Sequence, residues 1–355
     1  MEMKIVFCRT GEEIEFGVIT VLRERGYSII EFNEELKDKD YDSHYLQLLL
    51  DTIEDNKADM VWGIDYLPII SRACSVRKIL YFSWIIRESW NTLYSVTVKN
   101  PVNYIFIAEE NIAENFYAYN PGHIFYLPSG AHIENNNELQ TNKTGLFWND
   151  KLYSNFIMKT DCTEYLRGYI RGMIEAQKRI YGYHFIPKLL TKKMIKNLEE
   201  VLVEEERGKD YIKKPFENLV DDFFCDTITK DERDEVKKLL DEMNEEYTFD
   251  GISKVNIVIT SRKWKSGIPY DVLRVMGAGG FLITNYQSGM ENSFVLGEEL
   301  VVFEDFSDLK NKVLYYKEHP VECESIALMG KKKVEELYTL EQRIEDMFSL
   351  LNGGN

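Results

Sequence analysis

The chain has few cysteines, and none of them are spaced as a pair. Five cysteines in 355 residues are scattered along the sequence, at Cys8, Cys74, Cys162, Cys225 and Cys323. Disulfide-stapled domains and structural zinc sites need cysteines that recur at short, regular spacings. This distribution argues against both, and it predicts reduced, mostly buried thiols in a cytoplasmic protein.

No stretch of the sequence is apolar for long enough to predict a membrane span, and no secretory leader is recognisable. Residues 3–8 already have the pattern of a first strand. Acidic residues outnumber basic ones, which gives a formal net charge of −17. Electrostatic repulsion therefore argues against a nucleic-acid backbone or an anionic membrane as the main partner.

Several familiar catalytic and nucleotide-binding signatures are also missing. The sequence contains no P-loop, no strict Gly-x-Gly-x-x-Gly fingerprint and no Ser-His-Asp order. Its five histidines show no metal-ligand spacing, so we expect no metal site. A hydrophobic content of 44% nevertheless predicts well-filled cores, and 355 residues are enough for two domains.

The most informative segment that is present spans residues 265–286. A turn of small residues at Ser266-Gly267 leads to Pro269, which is predicted to be the first helical position. Gly277-Ala278-Gly279-Gly280 then separates this helix from the apolar strand Phe281–Thr284. Backbone N–H groups before a helix start can face an anion. The segment fits a nucleotide-diphosphate site in an α/β domain, and an ordinary αβ unit without a ligand has the same spacing.

The order of apolar segments predicts parallel sheets in both halves of the chain. A strand–helix–strand pattern opens the sequence, and Pro128 with the polar stretch 134–144 predicts a domain boundary. In the second half, Thr229-Lys230-Asp231-Glu232 has the pattern of a capping box that opens a new helix after one at 214–224. Thr339 and Gln342 have the spacing of another capping box for the last helix. Few strands are predicted before Val255, so the second domain is expected to be abridged.

Short motifs in a fixed order extend through most of the chain. The second half contains residues 265–287, Tyr315-Tyr316-Lys317-Glu318-His319 and residues 338–343, and upstream of them Tyr165-Leu166-Arg167-Gly168-Tyr169, Glu175-Ala176-Gln177 and Ile180-Tyr181-Gly182-Tyr183. The first half contains Tyr81-Phe82-Ser83-Trp84, Thr92-Leu93-Tyr94-Ser95, Asn103-Tyr104-Ile105-Phe106 and Tyr126-Leu127-Pro128. In this order, the motifs resemble the CgeB-like glycosyltransferases of the spore maturation protein type, which have the two-domain GT-B fold.

The resemblance implies an α/β protein in which two Rossmann-like domains face a cleft. We expect an N-terminal, acceptor-side domain at residues 1–135 and a nucleotide-sugar-binding domain at 145–338, with a helical insertion at about 160–224. Residues 339–355 would form a helix that returns to the first domain. The implied activity is metal-independent transfer of a sugar from a nucleotide diphosphate sugar to a hydroxyl of a protein or surface glycan. A homo-oligomer or a complex with another glycosyltransferase is the expected assembly.

The donor site is expected around the glycine turn. Fixed cations can stabilise a leaving diphosphate in place of a metal, although a solvated basic loop would have the same sequence. The expected donor-binding residues are Arg262, Lys265, Ser266, Gly267, Ile268, Asp271 and Arg274. Glu88 or Glu109 would act as general base in an inverting mechanism, or would be an ion-paired or solvent-facing glutamate. His132 would contact a ligand in the cleft, or be a capping or surface histidine.

Three positions depart from the resemblance. Arg274 matches a position that is usually acidic in the relatives, Asp271 one that is usually basic, and Arg87 one that is usually Asp. Arginine has no acceptor and cannot reproduce a carboxylate–ribose contact. Either Asp271 and Arg274 form a swapped structural ion pair, or a ribose contact is lost. The second alternative predicts a weakly active or inactive paralogue that acts as a binding or regulatory partner of an active glycosyltransferase.

Overall fold

Apart from one short antiparallel pair, the described strands form two parallel β-sheets, one in each half of the sequence, which confirms the predicted α/β class. The computed structural model describes residues 3–133, 143–148, 156–158, 163–204, 210–249 and 251–353. Cys162 and most of the polar stretch at the predicted domain boundary lie outside these residues. Among the described helices, none has the combination of length and apolar character that crossing a membrane requires.

The first domain is a six-stranded parallel sheet in the order β2-β1-β3-β4-β5-β6. Its strands are β1 (Lys4–Cys8), β2 (Ser28–Phe32), β3 (Met60–Ile64), β4 (Leu80–Ile85), β5 (Asn103–Ile107) and β6 (Ile124–Tyr126). Its helices are α1 (Ile14–Glu24), α2 (Ser43–Asn56), α3 (Pro68–Arg77) and α4 (Glu110–Phe116), with 3-10 turns at Trp90–Tyr94, Val96–Lys99 and Tyr117–Tyr119. The order reverses between β1 and β3, as in doubly wound folds.

The second domain has a five-stranded parallel sheet in the order β10-β7-β11-β12-β13, and a separate antiparallel pair, β8 and β9. Its strands are β7 (Thr144–Phe147), β8 (Phe156–Met158), β9 (Leu202–Glu204), β10 (Tyr247–Thr248), β11 (Val255–Val258), β12 (Phe281–Asn285) and β13 (Val301–Phe303). Its helices are α5 (Glu164–Lys178), α6 (Ile186–Leu189), α7 (Lys192–Val201), α8 (Phe216–Glu242), α9 (Tyr270–Gly277), α10 (Ser288–Ser293), α11 (Phe306–Glu318) and α12 (Pro320–Leu337). A last helix, α13 (Leu340–Gly353), follows.

Both faces of the first sheet are buried, which explains the nearly continuous apolar runs in its strands. Successive side chains of β1 point to opposite faces. Ile5 and Phe7 pack in one apolar cluster, whereas Val6 and Cys8 pack in the other. Helices therefore cover the sheet on two sides and leave its strand ends open for a site.

Two helix starts differ from the sequence predictions. The predicted capping box at Thr229 does not open a helix, because α8 runs without a break through this position. The Thr229 hydroxyl instead donates to the carbonyl of Cys225, 2.7 Å away and one turn back, a bond available to threonine inside a helix. Pro269 lies just before helix α9 in extended conformation, with ψ 141°, and the helix begins at Tyr270.

Helix α13 leaves the second domain and packs against the first. Leu340, Ile344 and Met347 are fully buried in the cluster on one face of the first sheet. The helix begins with the predicted capping box, in which the Thr339 N–H donates to Gln342 Oε1 at 3.1 Å and the Gln342 N–H donates to Thr339 Oγ1 at 3.3 Å. The core of the first domain thus includes residues from the end of the chain.

We predict that Ile344→Ala lowers the free energy of unfolding by about 2–5 kcal/mol, because it opens a cavity between α13 and the first sheet. Leu350→Ala, on the same helix but with a partly exposed side chain, is the control and should cost much less. Urea unfolding followed by tryptophan fluorescence measures both. Equal, small losses for the two variants would show that α13 is not part of the first core.

Candidate functional site

The two domains meet at the carboxyl ends of their sheets. The loop between β11 and α9 reaches across to the residues that follow β5, Ala108 and Glu109. In open α/β sheets, ligands bind beyond the carboxyl ends of the strands. This loop and the cleft beside it are therefore the candidate site.

Three successive backbone amides in this loop point at one carboxylate. The N–H groups of Lys265, Ser266 and Gly267 donate to Glu109 at 3.3, 3.0 and 2.7 Å, and the Ser266 hydroxyl donates to Glu109 at 2.7 Å. Asn111 adds a side-chain bond to the same carboxylate at 3.2 Å. We call the amides of residues 265–267 the anion nest. The nest thus holds an anion, and the first domain supplies it.

The nest can approach the first domain only because residue 267 is glycine. A Cβ atom on Gly267 would lie 2.1 Å from the carbonyl oxygen of Ala108 and 2.7 Å from the ring of Trp264. Neither the backbone oxygen nor the buried indole can move easily out of the way. Contact between the nest and the first domain therefore depends on the missing side chain.

Two cations of the basic cluster, Arg262 and Lys263, are paired with carboxylates of α8. The Arg262 guanidinium pairs with Glu232 of α8, with Nε 3.1 and 3.0 Å from the two carboxylate oxygens, and lies 3.8 Å from the centre of the Tyr181 ring. Lys263 pairs with Asp226 at 2.8 Å. All four charged side chains are almost fully buried. These ion pairs fix the loop on α8 and leave neither cation directed at the nest.

Lys265 is the most exposed cation of this cluster and lines two cavities. Its side chain is about 30% exposed, and Nζ lies 3.5 Å from Asp221 Oδ2 and 3.2 Å from the Arg262 carbonyl oxygen, to which it donates. Lys265 borders a cavity of about 190 Å³ inside the second domain and one of about 130 Å³ between the domains. The first is also lined by Arg262, Tyr183, His184, Tyr286, Gln287 and Ser288, and the second by Lys263, Trp90, Tyr94, Glu109, Asn111 and Lys214.

One group of side chains beside Lys265 contains three kinds of metal ligand. His184, Asp221 and Cys225 present ligand atoms within 4.8 Å of one another. Burial alone would raise the pKa of Asp221, but the hydrogen bond from His184 and the charge of Lys265 outweigh burial and hold it at about 2. The Lys265 ammonium balances the negative charge of Asp221 and also lies 3.5 Å from the Cys225 sulfur. Sequence reasoning missed the group because His184 is distant from the other two in the chain.

Both predicted general bases accept hydrogen bonds from the second domain. Glu88 accepts from the indole N–H of Trp264 at 2.7 Å, and Glu109 accepts from the nest. Both residues are buried. The structure therefore brings these carboxylates to the interface between the domains.

The exchanged charges form ion pairs across the cleft. Arg87 donates through Nη1 to Asp271 at 3.1 Å and through Nε to Glu12 at 2.9 Å. Arg274 donates to Glu13 of the first domain at 2.7 Å, while its own contact with Asp271 is a looser 3.7 Å. Arg87 and Asp271, two of the positions that depart from the resemblance stated above, thus pair with one another.

The remaining two predicted site residues, Ile268 and His132, also lie apart from the nest contacts. Ile268 is buried in the apolar cluster beneath α9. His132 lies near the crossing of the chain between the domains, where a Cβ on Gly17 would be 2.9 Å from the His132 Cβ. Within the described residues, the Nδ1 atom of His132 is buried without a hydrogen-bond partner.

Comparison with known proteins gives a partial family match and a likeness of fold. Residues 231–349, which include the nest, match a family model described as "Glycosyl transferase-like". Sucrose-phosphate synthase from Thermosynechococcus elongatus is 10% identical, with a TM-score of 0.51 over 100% of both chains. A glycosyltransferase from Rickettsia africae is 10% identical, with a TM-score of 0.47 over 99% of both chains. The Anabaena protein HepE in complex with UDP and glucose is 8% identical, with a TM-score of 0.46 over 99% of this chain and 100% of that one.

A search of curated proteins gives no match. At 10% identity, the likeness to sucrose-phosphate synthase shows the fold alone. The two parallel sheets and this likeness identify the fold as GT-B, as the sequence resemblance implied.

We predict that Arg87→Met lowers the free energy of unfolding by about 3–5 kcal/mol, because it removes the mostly buried cation that Glu12 and Asp271 share. Lys332→Met removes an exposed pair with Glu336 and is the control. It should cost less than about 0.5 kcal/mol. Chemical unfolding curves measure both, and equal values would mean that the Arg87 pairs contribute no more than a surface contact.

Proposed function

We propose that the protein is a glycosyltransferase of the CgeB-like type that moves a sugar from a nucleotide diphosphate sugar to a hydroxyl of a protein or surface glycan. The anion nest is the observation that carries this proposal. It lies at the carboxyl end of the second sheet, directly before helix α9, and its amides already bind a carboxylate. The match to the "Glycosyl transferase-like" family model includes the same segment.

In this proposal, the donor diphosphate binds the nest and the ammonium of Lys265. The sugar and nucleoside occupy the adjoining cavities, which both border Lys265. Each cavity is smaller than the roughly 300–1,000 Å³ of a typical ligand pocket. The domains must therefore separate for the donor to enter.

The chemistry assigned to the chain is electrostatic stabilisation of the departing diphosphate. Backbone amides and Lys265 are fixed donors that require no metal ion for this task. The acceptor hydroxyl approaches from the first domain, where Glu88 or Glu109 takes its proton if the configuration inverts. The buried, unpaired state of Cys8, Cys74, Cys225 and Cys323 supports a place in the reducing cytoplasm.

A second function is supported by the cleft ion pairs. Asp271 is held by Arg87, and Arg274 has no acceptor to offer a ribose, so nothing at these two positions is available for a diol contact. These pairs favour a weakly active or inactive paralogue that binds an active glycosyltransferase. Such a protein would keep the fold and lose turnover.

We predict that Lys265→Ala weakens binding of a nucleoside diphosphate about tenfold or more, because a charge-assisted contact contributes about 1.5–3 kcal/mol. Lys310→Ala, on the exposed surface of α11, is the control. Isothermal calorimetry with UDP, GDP and ADP measures the affinities. An unchanged dissociation constant for Lys265→Ala would refute the placement of the diphosphate.

Turnover separates the two functions. We expect purified protein to hydrolyse at least one nucleotide sugar from a panel slowly in the presence of a metal chelator, because fixed donors and not a metal stabilise the leaving group. Release of the nucleoside diphosphate is the measured product. A strict requirement for manganese would contradict the metal-independent mechanism, and binding without any turnover would favour the inactive paralogue.

A further inference from the structure

We propose that Glu109 is an internal latch: its carboxylate occupies the anion nest in the ligand-free protein, holds the two domains together, and must leave before a diphosphate can bind. The identity of the displacing ligand rests on the proposed function. The latch itself rests on contacts between Glu109 and the nest.

The contacts reproduce those of a bound anionic ligand. The two carboxylate oxygens of Glu109 accept from three consecutive amides, from the Ser266 hydroxyl and from the Asn111 amide, at 2.7–3.3 Å. Glu109 is only 1% exposed. A phosphate group at the nest would use the same N–H donors, so the two anions exclude each other.

Glu109 contacts its own helix through the Asn111 side chain, but not as a helix cap. It occupies the residue before α4, where a short acceptor side chain often caps the free amides of the first turn. Within the described residues, the Glu109 side chain accepts no capping bond from α4. The long side chain instead reaches the other domain, which is the role that a latch requires.

No ligand fits between Gly267 and the end of β5 while the latch is closed. A Cβ on Gly267 would be 2.1 Å from the Ala108 carbonyl oxygen, so the nest and the end of β5 are already in contact. A diphosphate therefore enters only after the loop and the first domain move apart. Because only open molecules can bind, the apparent affinity for the diphosphate falls in proportion to the fraction of molecules that are open.

The test compares Glu109→Ala and Glu109→Gln with the wild type, and uses Glu110→Gln as the matched control. Glu110 is the next residue in the chain and is exposed. Calorimetry with inorganic pyrophosphate measures the anion affinity, and small-angle scattering without ligand measures the separation of the domains. Glutamine keeps the size of the side chain, but its NH₂ group faces the N–H donors of the nest.

We expect Glu109→Ala to bind pyrophosphate at least about fivefold more tightly than the wild type, because the competent fraction rises. Its radius of gyration should increase, Glu109→Gln should change in the same direction, and Glu110→Gln should match the wild type. Gly267→Ala should also separate the domains, because its methyl group would collide with the first domain. It should also increase the radius of gyration.

Pyrophosphate affinity that is unchanged or weaker in Glu109→Ala would overturn the latch. So would loss of turnover in Glu109→Gln with no change in pyrophosphate affinity, which is the signature of a general base alone. If pyrophosphate binds more tightly to Glu109→Ala but no nucleoside diphosphate binds any variant, the latch is supported and the proposed donor is wrong. The two proposals can thus fail separately.

Discussion

The close approach of Gly267 to Ala108 is the constraint on which the candidate site depends. Because residue 267 has no side chain, the loop before α9 can contact the backbone at the end of β5. That approach brings the nest within hydrogen-bond distance of Glu109 and Trp264 within reach of Glu88. The absence of a single methyl group thus allows the nest to reach Glu109.

The loop before α9 is also held by buried ion pairs, and leaving these charges unpaired would cost free energy. Arg262 and Lys263 are buried against Glu232 and Asp226 on α8, so their desolvation is compensated by near partners. The same helix carries Asp221, which contacts Lys265. Helix α8 therefore sets the orientation of the nest, although it contributes no N–H group to it.

Much of the fold could be predicted from the sequence, because buried parallel strands leave continuous apolar runs and helix caps leave short polar patterns. β1, β12 and the capping box at Thr339 follow from such local signals. The prediction of a helix start at Thr229 was wrong, because a threonine hydroxyl can also donate to the carbonyl one turn back inside a helix. The partners of Arg262 and of Glu109 could not be predicted, because a charge in the sequence does not reveal which distant residue will face it. The glycine turn indicated an anion site but not which anion it holds.

Helix α13 has a consequence for the order in which the protein folds. Its residues fill one face of the first sheet, where Phe348 stacks on Tyr27 with ring centres 5.0 Å apart. During synthesis, the ribosome completes the whole second domain before these residues emerge. Until then, the apolar face of the first sheet that includes Trp62 and Phe82 is not covered by α13. Until helix α13 has left the ribosome, this apolar face of a nascent chain is therefore exposed to association with other chains.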